Sequence, residues 1–398
     1  MTPATRWADD QPPLTELTEA QAGWREEVRA FAAREVAPLV RAMDERARID
    51  AGLLDKLFDA DLMAVEVPAG YGGRGGTLLD TILAIEALAE VDPAVAVLVD
   101  VQNALVVSAL LRHGSGEQKR RFLPRLASGA VGAYAISETD AGSDAFAMRT
   151  SAVPDEGGYV LTGRKAFTTS AAEASVFLVF ARTTAGSGTE PDPGSRSFTA
   201  FLVERDRPGV RVGDPVAKLG IRASSTCDVE FDEVRIGPEN VLGEVGDGTS
   251  LAVETLNIGK LGIAAQQVGL AQGALEAAVG YARKRRQFGE PVMNFQGVAF
   301  PLASLATQLE AARLLVYNGV RMVRHPDAAE RLRACAMAKQ FAAEVAERTA
   351  SHAVETLGGV GFTTDGTVEK FYRDAKIGSI YEGTTNMQFR TISSVMFR

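Results

Sequence analysis

The stretch Arg373-Asp374-Ala375-Lys376-Ile377-Gly378-Ser379-Ile380-Tyr381-Glu382-Gly383-Thr384 is the most informative part of this 398-residue sequence. A carboxylate, Glu382, ends an apolar run and precedes a glycine, at which the backbone can turn. If Glu382 is buried beside Tyr381 and Ile380, we expect its pKa to rise, so that it could act as a base on a carbon acid. The alternative is a surface glutamate in a turn, and this segment alone leaves both readings open.

Two other motifs lie upstream in the C-terminal part of the chain. Leu357-Gly358-Gly359-Val360-Gly361 marks the end of a helix near Leu357. Arg285-Arg286-Gln287-Phe288-Gly289 ends a long helix, where positive charge is favoured by the helix dipole. The same arginines could instead grip a phosphate, because guanidinium forks match phosphate oxygens.

The chain divides into three compositional zones, which we place at residues 1–132, 133–248 and 249–398. Helical spacing dominates the first and third zones, and the middle zone contains short β-branched or aromatic runs bounded by turn residues. This helical–strand–helical order differs from the alternation of a doubly wound sheet, so the predicted fold class is α+β. The predicted helices of the first zone are 16–44, 51–61, 78–90, 94–113 and 116–127; the predicted strands are 158–162, 175–181, 198–203 and 228–236.

The middle zone contributes two candidate ligand loops. Glu138–Asp144 follows the apolar run Ala133–Ile136, and its small residues allow a flat ligand close to the backbone, with hydroxyl donors from Ser137 and Ser143. A helix-capping loop is the alternative. Gly163–Ser170 places Phe167 beside two threonines after a strand, and a core phenylalanine in a strand-turn-strand explains it equally well.

Several functional classes are excluded or disfavoured by composition. The net charge of −9 argues against sequence-independent nucleic-acid binding. The run 97–111 is interrupted by Asp100, Gln102 and Asn103, which argues against a transmembrane helix, and the polar start of the chain lacks the pattern of a signal peptide. Two cysteines and three scattered histidines indicate neither a disulfide framework nor a metal site, and they fit a reducing cytoplasm. Gly70–Gly75 matches G-x-G-x-x-G, but no strand precedes it, so we interpret it as a loop between helices.

Taken together, five separated motifs resemble the acyl-CoA dehydrogenase flavoprotein family, in the family's order. The resemblance extends from about Glu16 to Gln388, and it is closest to the short/branched-chain members. The five motifs are Glu138–Asp144, Lys218–Thr226, Arg285–Gly289 with Phe295-Gln296, Leu357–Gly361 and Arg373–Thr384.

The resemblance implies a helical N-terminal domain, a middle β-domain and a C-terminal four-helix bundle, assembled as a homotetramer (a dimer of dimers). It also implies FAD as the cofactor and no metal. By position, it implies Glu382 as the catalytic base. The implied FAD-binding residues are Tyr134, Ala135, Ile136, Ser137, Gly142, Ser143, Phe167, Thr168, Thr169, Arg285, Phe288, Gln296, Glu355, Leu357, Gly358, Gly359, Thr384, Thr385 and Asn386, with Arg285 and Gln296 reaching the FAD of a neighbouring subunit. The implied substrate-binding residues are Ser143, Thr249, Asn257, Lys260, Tyr381 and Gly383.

The implied reaction is α,β-dehydrogenation of a short or branched-chain acyl-CoA to the 2-enoyl-CoA, in fatty acid or branched-chain amino acid metabolism. Glu382 takes the Cα proton, the flavin accepts the hydride, and an electron-transfer flavoprotein reoxidises the flavin. Backbone N–H at the base and a flavin hydroxyl would stabilise the thioester oxygen. We expect a cytoplasmic protein without membrane insertion.

Departures from the family leave the substrate open. Members of the family commonly have Arg at the position of Lys260 and often have Trp at the position of Phe167. The branched-chain relatives have a Tyr near the sequence position of Thr249. One alternative is therefore a biosynthetic desaturase for a dedicated acyl-CoA or a carrier-protein thioester. Another is a flavin- or acyl-CoA-binding protein without catalytic activity.

Overall fold

A computed structural model describes residue 14 and residues 16–183 and 197–397. The glycine, serine, proline and acidic residues of the segment Thr183–Ser197 predict an exposed loop, and most of this segment lies outside the described residues. The predicted helical–strand–helical order is confirmed. The described chain begins with seven α-helices, continues through a β-sheet and ends in a bundle of long helices.

Local sequence signals fix the ends of several N-terminal helices. Ser115 and Gln118 form a reciprocal capping box that starts the helix Gly116–Ala127, whose bounds agree with the prediction. Thr18 and Thr77 begin two other helices in the same way. The helices are α1 (Glu19–Phe31), α2 (Val40–Arg46), α3 (Ala51–Asp59), α4 (Leu78–Ala89), α5 (Pro93–Asp100), α6 (Ser108–His113) and α7 (Gly116–Ala127).

The segment Pro93–His113 is continuous but not regular. A π-helical turn, Val101–Val107, joins α5 to α6, and such widened turns often occur at functional sites. Among the described residues this is the one helix long and apolar enough to cross a membrane, and 94% of its most apolar window is buried inside the protein. Its apolar character is thus accounted for by packing in the core.

The middle zone folds into a mixed sheet. Its strand order is β6-β7-β3-β2-β4-β5-β8, and β1 lies parallel to β4 outside that path. The register of β3 against β7 shifts between Lys165 and Thr168, around Phe167. The strands are β1 (Val131–Ala135), β2 (Ser151–Asp155), β3 (Gly158–Thr169), β4 (Ala174–Thr183), β5 (Phe198–Glu204), β6 (Val210–Val212), β7 (Thr226–Ile236) and β8 (Val241–Leu242).

Long helices form the C-terminal bundle. A short hairpin separates the first two of them, and the helix ending at Leu357 stops at Gly358, whose φ of 62° favours glycine. The elements are α8 (Gly248–Lys284), β9 (Arg286–Gln287), β10 (Glu290–Pro291), α9 (Gln296–Met322), α10 (Ala328–Leu357), α11 (Val368–Ala375) and α12 (Thr385–Met396).

Glycines let α8 approach the N-terminal helices closely. A Cβ at Gly269 would lie 2.1 Å from the Glu86 carbonyl oxygen, and one at Gly262 would lie 1.7 Å from Asp100 Oδ1. Neither position can carry a larger residue without displacing a neighbour. This contact brings α5, with Asp100, against the middle of α8, where the candidate site is found.

Candidate active site

The candidate site is built around the turn that carries Glu382, between a 3₁₀ segment (Lys376–Ser379) and α12. Glu382 and Gly383 have φ values of 50° and 85°, so both adopt the left-handed conformation. For Glu382 this conformation costs about 1–2 kcal/mol, which the surrounding contacts must offset. The turn therefore needs specific anchors.

Those anchors come from α10 and α12. Lys339 Nζ donates a hydrogen bond of 2.7 Å to the Gly383 carbonyl oxygen. Gln388 Nε2 donates to the carbonyl oxygens of Glu382 and Gly383, at 3.0 and 2.8 Å. Both side chains are buried, and both hold the turn through its backbone oxygens.

The Glu382 carboxylate points into the protein. Its Oε2 atom is buried and has no hydrogen-bond partner among the described residues, although other parts of the residue are partly exposed. Burial raises the pKa of Glu382 to about 7, against the opposing effect of the positive charges of Lys260 and Lys339. The expected upward shift is thus found. Ile380, which precedes Tyr381 and Glu382 in the chain, is itself 51% exposed.

The burial comes instead from the far side of the turn. A Cβ placed on Gly259 of α8 would lie 2.9 Å from Glu382 Oε2 and 2.7 Å from Leu105 Cδ2. The carboxylate therefore lies in a narrow space beside a helix position that has no side chain.

A second buried carboxyl group lies nearby and was missed as a site residue by the sequence reasoning. Asp100 is fully buried, and neither of its carboxyl oxygens has a hydrogen-bond partner among the described residues. Burial, and secondarily the charge of Glu382, raises the pKa of Asp100 well above its ordinary value. Its sequence signal was a lone acid inside an apolar helix, which we had used only as evidence against a membrane span.

Two lysines provide positive charge around Glu382. Lys260 lies one helical turn after Asn257 and donates to its Oδ1 at 2.9 Å, so these two predicted substrate residues are in contact. Lys339 was not predicted. Burial lowers the pKa of Lys339 to about 8, while Glu382 acts in the opposite direction. Its sequence signal was a single lysine among alanines at helical spacing on α10.

Two tyrosines fix the walls of the site. Tyr134 shares a 2.9 Å hydrogen bond with the hydroxyl of Thr255 on α8. The Tyr381 hydroxyl donates to Gln266 Oε1 on the same helix. Burial raises the pKa of both phenols, and the charge of Glu382 adds to this effect in smaller part.

The two predicted flavin-binding strand ends are joined to each other. The Ala166 N–H donates to the Ser137 carbonyl oxygen at 2.9 Å, and Lys165 Nζ bridges the Ile136 carbonyl oxygen (3.1 Å) and Glu138 (2.9 Å). Predicted residues Tyr134–Ser137 thus lie beside Phe167–Thr169. Gly142 and Ser143 follow in an exposed loop.

Two observations indicate that the region formed by Tyr134–Ser137 and Phe167–Thr169 can accommodate a flavin. Phe167 lies within β3, not after it as expected, and it is 64% exposed at a φ of 54°. Thr168 is buried, and its hydroxyl has no partner among the residues described. An exposed aromatic ring beside an unsatisfied hydroxyl suits a flat, polar ligand.

The remaining predicted residues lie on other parts of the chain. Phe288, on the β9–β10 hairpin, is 95% exposed, and its ring meets Phe295 edge-on at 6.1 Å. Glu355 lines an open groove of about 660 Å³ between α9 and α10. The structure places Arg285 and Phe288 at the hairpin, Gln296 at the start of α9, Glu355, Leu357, Gly358 and Gly359 at the end of α10, Thr384, Thr385 and Asn386 at the start of α12, and Thr249 in the first turn of α8.

Three family models match consecutive parts of the chain. They are the acyl-CoA dehydrogenase N-terminal domain (residues 18–130), middle domain (133–234) and C-terminal domain (246–397). A Dictyostelium discoideum protein described as "Probable short/branched chain specific acyl-CoA dehydrogenase" is 46% identical over 382 residues, 96% of this chain and 91% of that protein.

Solved structures agree with the sequence matches. Butyryl-CoA dehydrogenase from Megasphaera elsdenii superimposes with a TM-score of 0.90 at 34% identity, over 96% of this chain and 99% of that one. A chain from the structural study of the electron transferring flavoprotein of Acidaminococcus fermentans has a TM-score of 0.91 at 37% identity, with coverage of 96% and 99%.

Proposed function

The chain belongs to the acyl-CoA dehydrogenase family, and we propose that Glu382 is the base that removes the Cα proton from its thioester substrate. The protein is an FAD-dependent oxidoreductase that catalyses α,β-dehydrogenation of acyl-CoA. The observation that carries the assignment of the base is the buried Glu382 carboxylate, whose Oε2 has no partner in the described chain.

Burial adapts Glu382 to this role. The α-proton of a thioester is weakly acidic, so an ordinary glutamate is too weak a base to remove it efficiently. A pKa near 7 brings the base close to neutral pH, where it is both substantially ionised and more basic than an exposed carboxylate. The unpartnered Oε2 remains available to accept the proton.

The same turn offers a donor for the developing enolate. The Glu382 N–H takes part in none of the backbone hydrogen bonds found among the described residues. An N–H fixed at the thioester oxygen contributes about 3–4 kcal/mol of transition-state stabilisation in comparable sites. Lys339 and Gln388 hold the following carbonyl groups, and so keep this N–H oriented.

FAD, when bound, supplies the hydride acceptor for Cβ. Tyr134–Ser137, Gly142, Ser143 and Phe167–Thr169 would hold it, and the buried hydroxyl of Thr168 would gain the partner that it lacks in the described chain. Phe167 would pack by its ring alone, since it has no indole N–H.

We propose a short or branched-chain acyl-CoA as the substrate. The relatedness to the Dictyostelium protein supports this assignment, and the printed name of that protein gives the chain class. Tyr381 and Gly383 flank Glu382 in the chain, Lys260 acts on its carboxylate through space, and Asn257 accepts a hydrogen bond from Lys260. We propose that these four residues contact the thioester portion. Ser143 and Thr249 complete the proposed set from the neighbouring loop and the start of α8.

We also propose a homotetramer that passes its electrons to an electron-transfer flavoprotein. Several large apolar side chains of the C-terminal bundle are exposed in the single chain, including Phe288, Phe300 and Phe362. Such exposure is typical of surfaces covered by another subunit. Arg285 and Gln296 would then reach the FAD of a neighbouring subunit. Light scattering of the FAD-loaded protein tests the tetramer.

The substrate proposal is tested with the FAD-loaded protein under anaerobic conditions. Straight and 2-methyl-branched short acyl-CoAs are added separately, and flavin bleaching is followed; the same acyl groups on a carrier protein form the second arm. We expect short or branched acyl-CoAs to bleach the flavin fastest. Bleaching by carrier-bound groups alone would identify a dedicated desaturase, and a yellow protein reduced by no thioester would indicate a binding protein.

A further inference from the structure

We infer that Lys339 is a positioning residue for Glu382: it fixes the backbone of the base's turn and supplies a buried positive charge that keeps the carboxylate ionised. The inference rests on the proposed role of Glu382. It gives a helix of the C-terminal bundle, α10, a part in positioning the base. Lys339 lies on α10, remote in sequence from every motif that indicated the function.

The first support is the burial of Lys339. Its side chain is completely buried, although a lysine is almost never fully buried unless its ammonium is paired. Among the described residues, its Nζ donates one hydrogen bond, to the Gly383 carbonyl oxygen at 2.7 Å. A neutral acceptor satisfies one of three N–H donors but does not balance the charge. The charge of Glu382, which acts on Lys339 through space, opposes the cost of burying the ammonium group.

The second support is that Glu382 is the charged group acting on Lys339 in the stabilising sense, while Lys260 acts against it. The interaction is reciprocal, since Lys260 and Lys339 are the two cations that lower the pKa of Glu382 against the effect of burial. Lys339 thus contacts the turn through Gly383 and influences the carboxylate through space.

The third support is that Gln388 already provides neutral hydrogen bonds to the same turn. Gln388 Nε2 already donates to the carbonyl oxygens of Glu382 and Gly383, and Gln388 is 1% exposed. Hydrogen bonding alone would not require a second, charged donor at Gly383. A neutral residue on α10 could hold the turn without the cost of burying an ammonium group. We therefore assign to the positive charge of Lys339 a role separate from its hydrogen bond, namely to favour the ionised form of Glu382.

Other groups near Glu382 and Lys339 also influence how the activity depends on pH. α12 contributes the neutral Gln388. The titratable groups that interact with Glu382 or Lys339 are Asp100 on α5, Tyr134 on β1, Lys260 on α8 and Tyr381 on the turn, and Cys335 on α10 interacts with Lys260.

The test compares Lys339→Met with Lys339→Gln. Methionine removes both the charge and the hydrogen bond, whereas glutamine removes the charge and keeps an N–H donor for the Gly383 oxygen. Lys376→Met is the matched control, because Lys376 is an exposed lysine that pairs with Glu347 on the surface. All three are prepared as FAD-loaded proteins, and kcat/KM for an acyl-CoA is measured from pH 5.5 to 9.

We expect the acid limb of kcat/KM to move up by about one pH unit in both Lys339 variants, since one opposite charge has been lost. In Lys339→Gln, activity at pH 6 would then fall about tenfold and remain near wild type at pH 9. Lys339→Met would show the same shift and, in addition, a loss at every pH, because the hydrogen bond that holds the Gly383 carbonyl group is gone as well. Lys376→Met would follow the wild-type profile. An unshifted limb in Lys339→Gln, or an equal loss at every pH, would overturn the inference. If Lys339→Met does not fold, the glutamine variant alone decides.

A spectroscopic titration separates this inference from the assignment of the base. The infrared band of the protonated Glu382 carboxyl group is identified by its loss in Glu382→Gln and is followed against pH in the wild type and in Lys339→Gln. An upward shift of its titration midpoint supports the coupling whether or not Glu382 is the base. Coincident midpoints would contradict the coupling, even if Glu382→Gln is inactive.

Discussion

Gly259 and Glu382 lie in direct opposition: a Cβ on Gly259 would stand 2.9 Å from the carboxylate oxygen Oε2 of Glu382. Gly259 belongs to α8 and Glu382 to the turn before α12, so the two helical regions meet at the proposed base. The absence of a side chain on α8 is what leaves room for the carboxylate.

Gly259→Ala should therefore displace Glu382 without unfolding the protein. The atoms that must give way, Glu382 Oε2 and Leu105 Cδ2, are ends of flexible side chains. We expect FAD to bind normally and the rate of anaerobic flavin reduction to fall at least tenfold, because small misplacements of catalytic groups are costly. The reduction is measured by stopped-flow absorbance.

Gly280→Ala provides the control within the same helix. A Cβ at Gly280 would have no neighbour within 4 Å, so this change should leave flavin reduction unaltered and stabilise α8 by about 0.5–1 kcal/mol. Equal rates for Gly259→Ala and wild type would show that the carboxylate is not confined by α8.

The pH dependence of the wild-type enzyme follows from the burial of Glu382. The base must be ionised, and its pKa is raised to about 7, so kcat/KM should fall tenfold per pH unit below that value. Because the folded-state pKa lies above the unfolded value, the carboxylate lowers stability as the pH rises through the interval from about 4.3 to 7. Rate and stability thus change in opposite directions over this interval. An acid limb near pH 4.5 would contradict a buried base.

Asp100→Asn should stabilise the protein, increasingly so at higher pH. Burial and the charge of Glu382 raise the pKa of Asp100, so the folded state resists its ionisation while the unfolded state ionises freely above about pH 4. Asparagine has no charge to lose, and the gain in Tm relative to wild type should grow between pH 5 and pH 9. Differential scanning calorimetry measures it.

Asp206→Asn, which removes the same charge from an exposed position, is the matched control. A constant Tm difference across the pH range for Asp100→Asn would mean that the Asp100 carboxyl group has a partner that keeps it ionised.

Much of the fold could be predicted because local sequence patterns mark where helices begin and end. The capping pair Ser115 and Gln118 marks the start of α7, and Gly358 marks the end of α10. β2 was not predicted: it contains Pro154, which weakens the strand pattern, and it is paired by β3 and β4. Pairing across the sheet is not visible in local sequence.

The site was only partly readable, for a related reason. Glu382 lies in a recognisable motif, so the upward shift of its pKa could be anticipated. Asp100 and Lys339 belong to helices far from it in sequence, and only the packing of α5, α8 and α10 brings them to the same place. The exposure of Ile380 depends on which side of the turn faces the core, which no periodicity specifies.

Thr168→Val tests the flavin site, because it should affect the stability of the FAD-free protein and the affinity for FAD differently. The Thr168 hydroxyl is buried without a partner in the described chain, so valine should leave the Tm of the FAD-free protein unchanged or higher. In contrast, FAD affinity should weaken about fivefold, the cost of one ordinary hydrogen bond. Calorimetry gives the first quantity and fluorescence titration with FAD the second.

A lower Tm for FAD-free Thr168→Val would mean that the hydroxyl already has a protein partner. Unchanged FAD affinity would place Thr168 outside the flavin site. Phe167→Trp is a useful companion; it should retain FAD, because the site is open at this 64% exposed position.

The most direct test of the account is anaerobic flavin reduction by Glu382→Gln. The amide has nearly the same shape as the carboxylate but cannot accept the Cα proton. The account predicts a yellow protein that binds FAD and acyl-CoA as the wild type does, and whose flavin absorbance persists after substrate is added. Bleaching at the wild-type rate would contradict the assignment of Glu382 as the base.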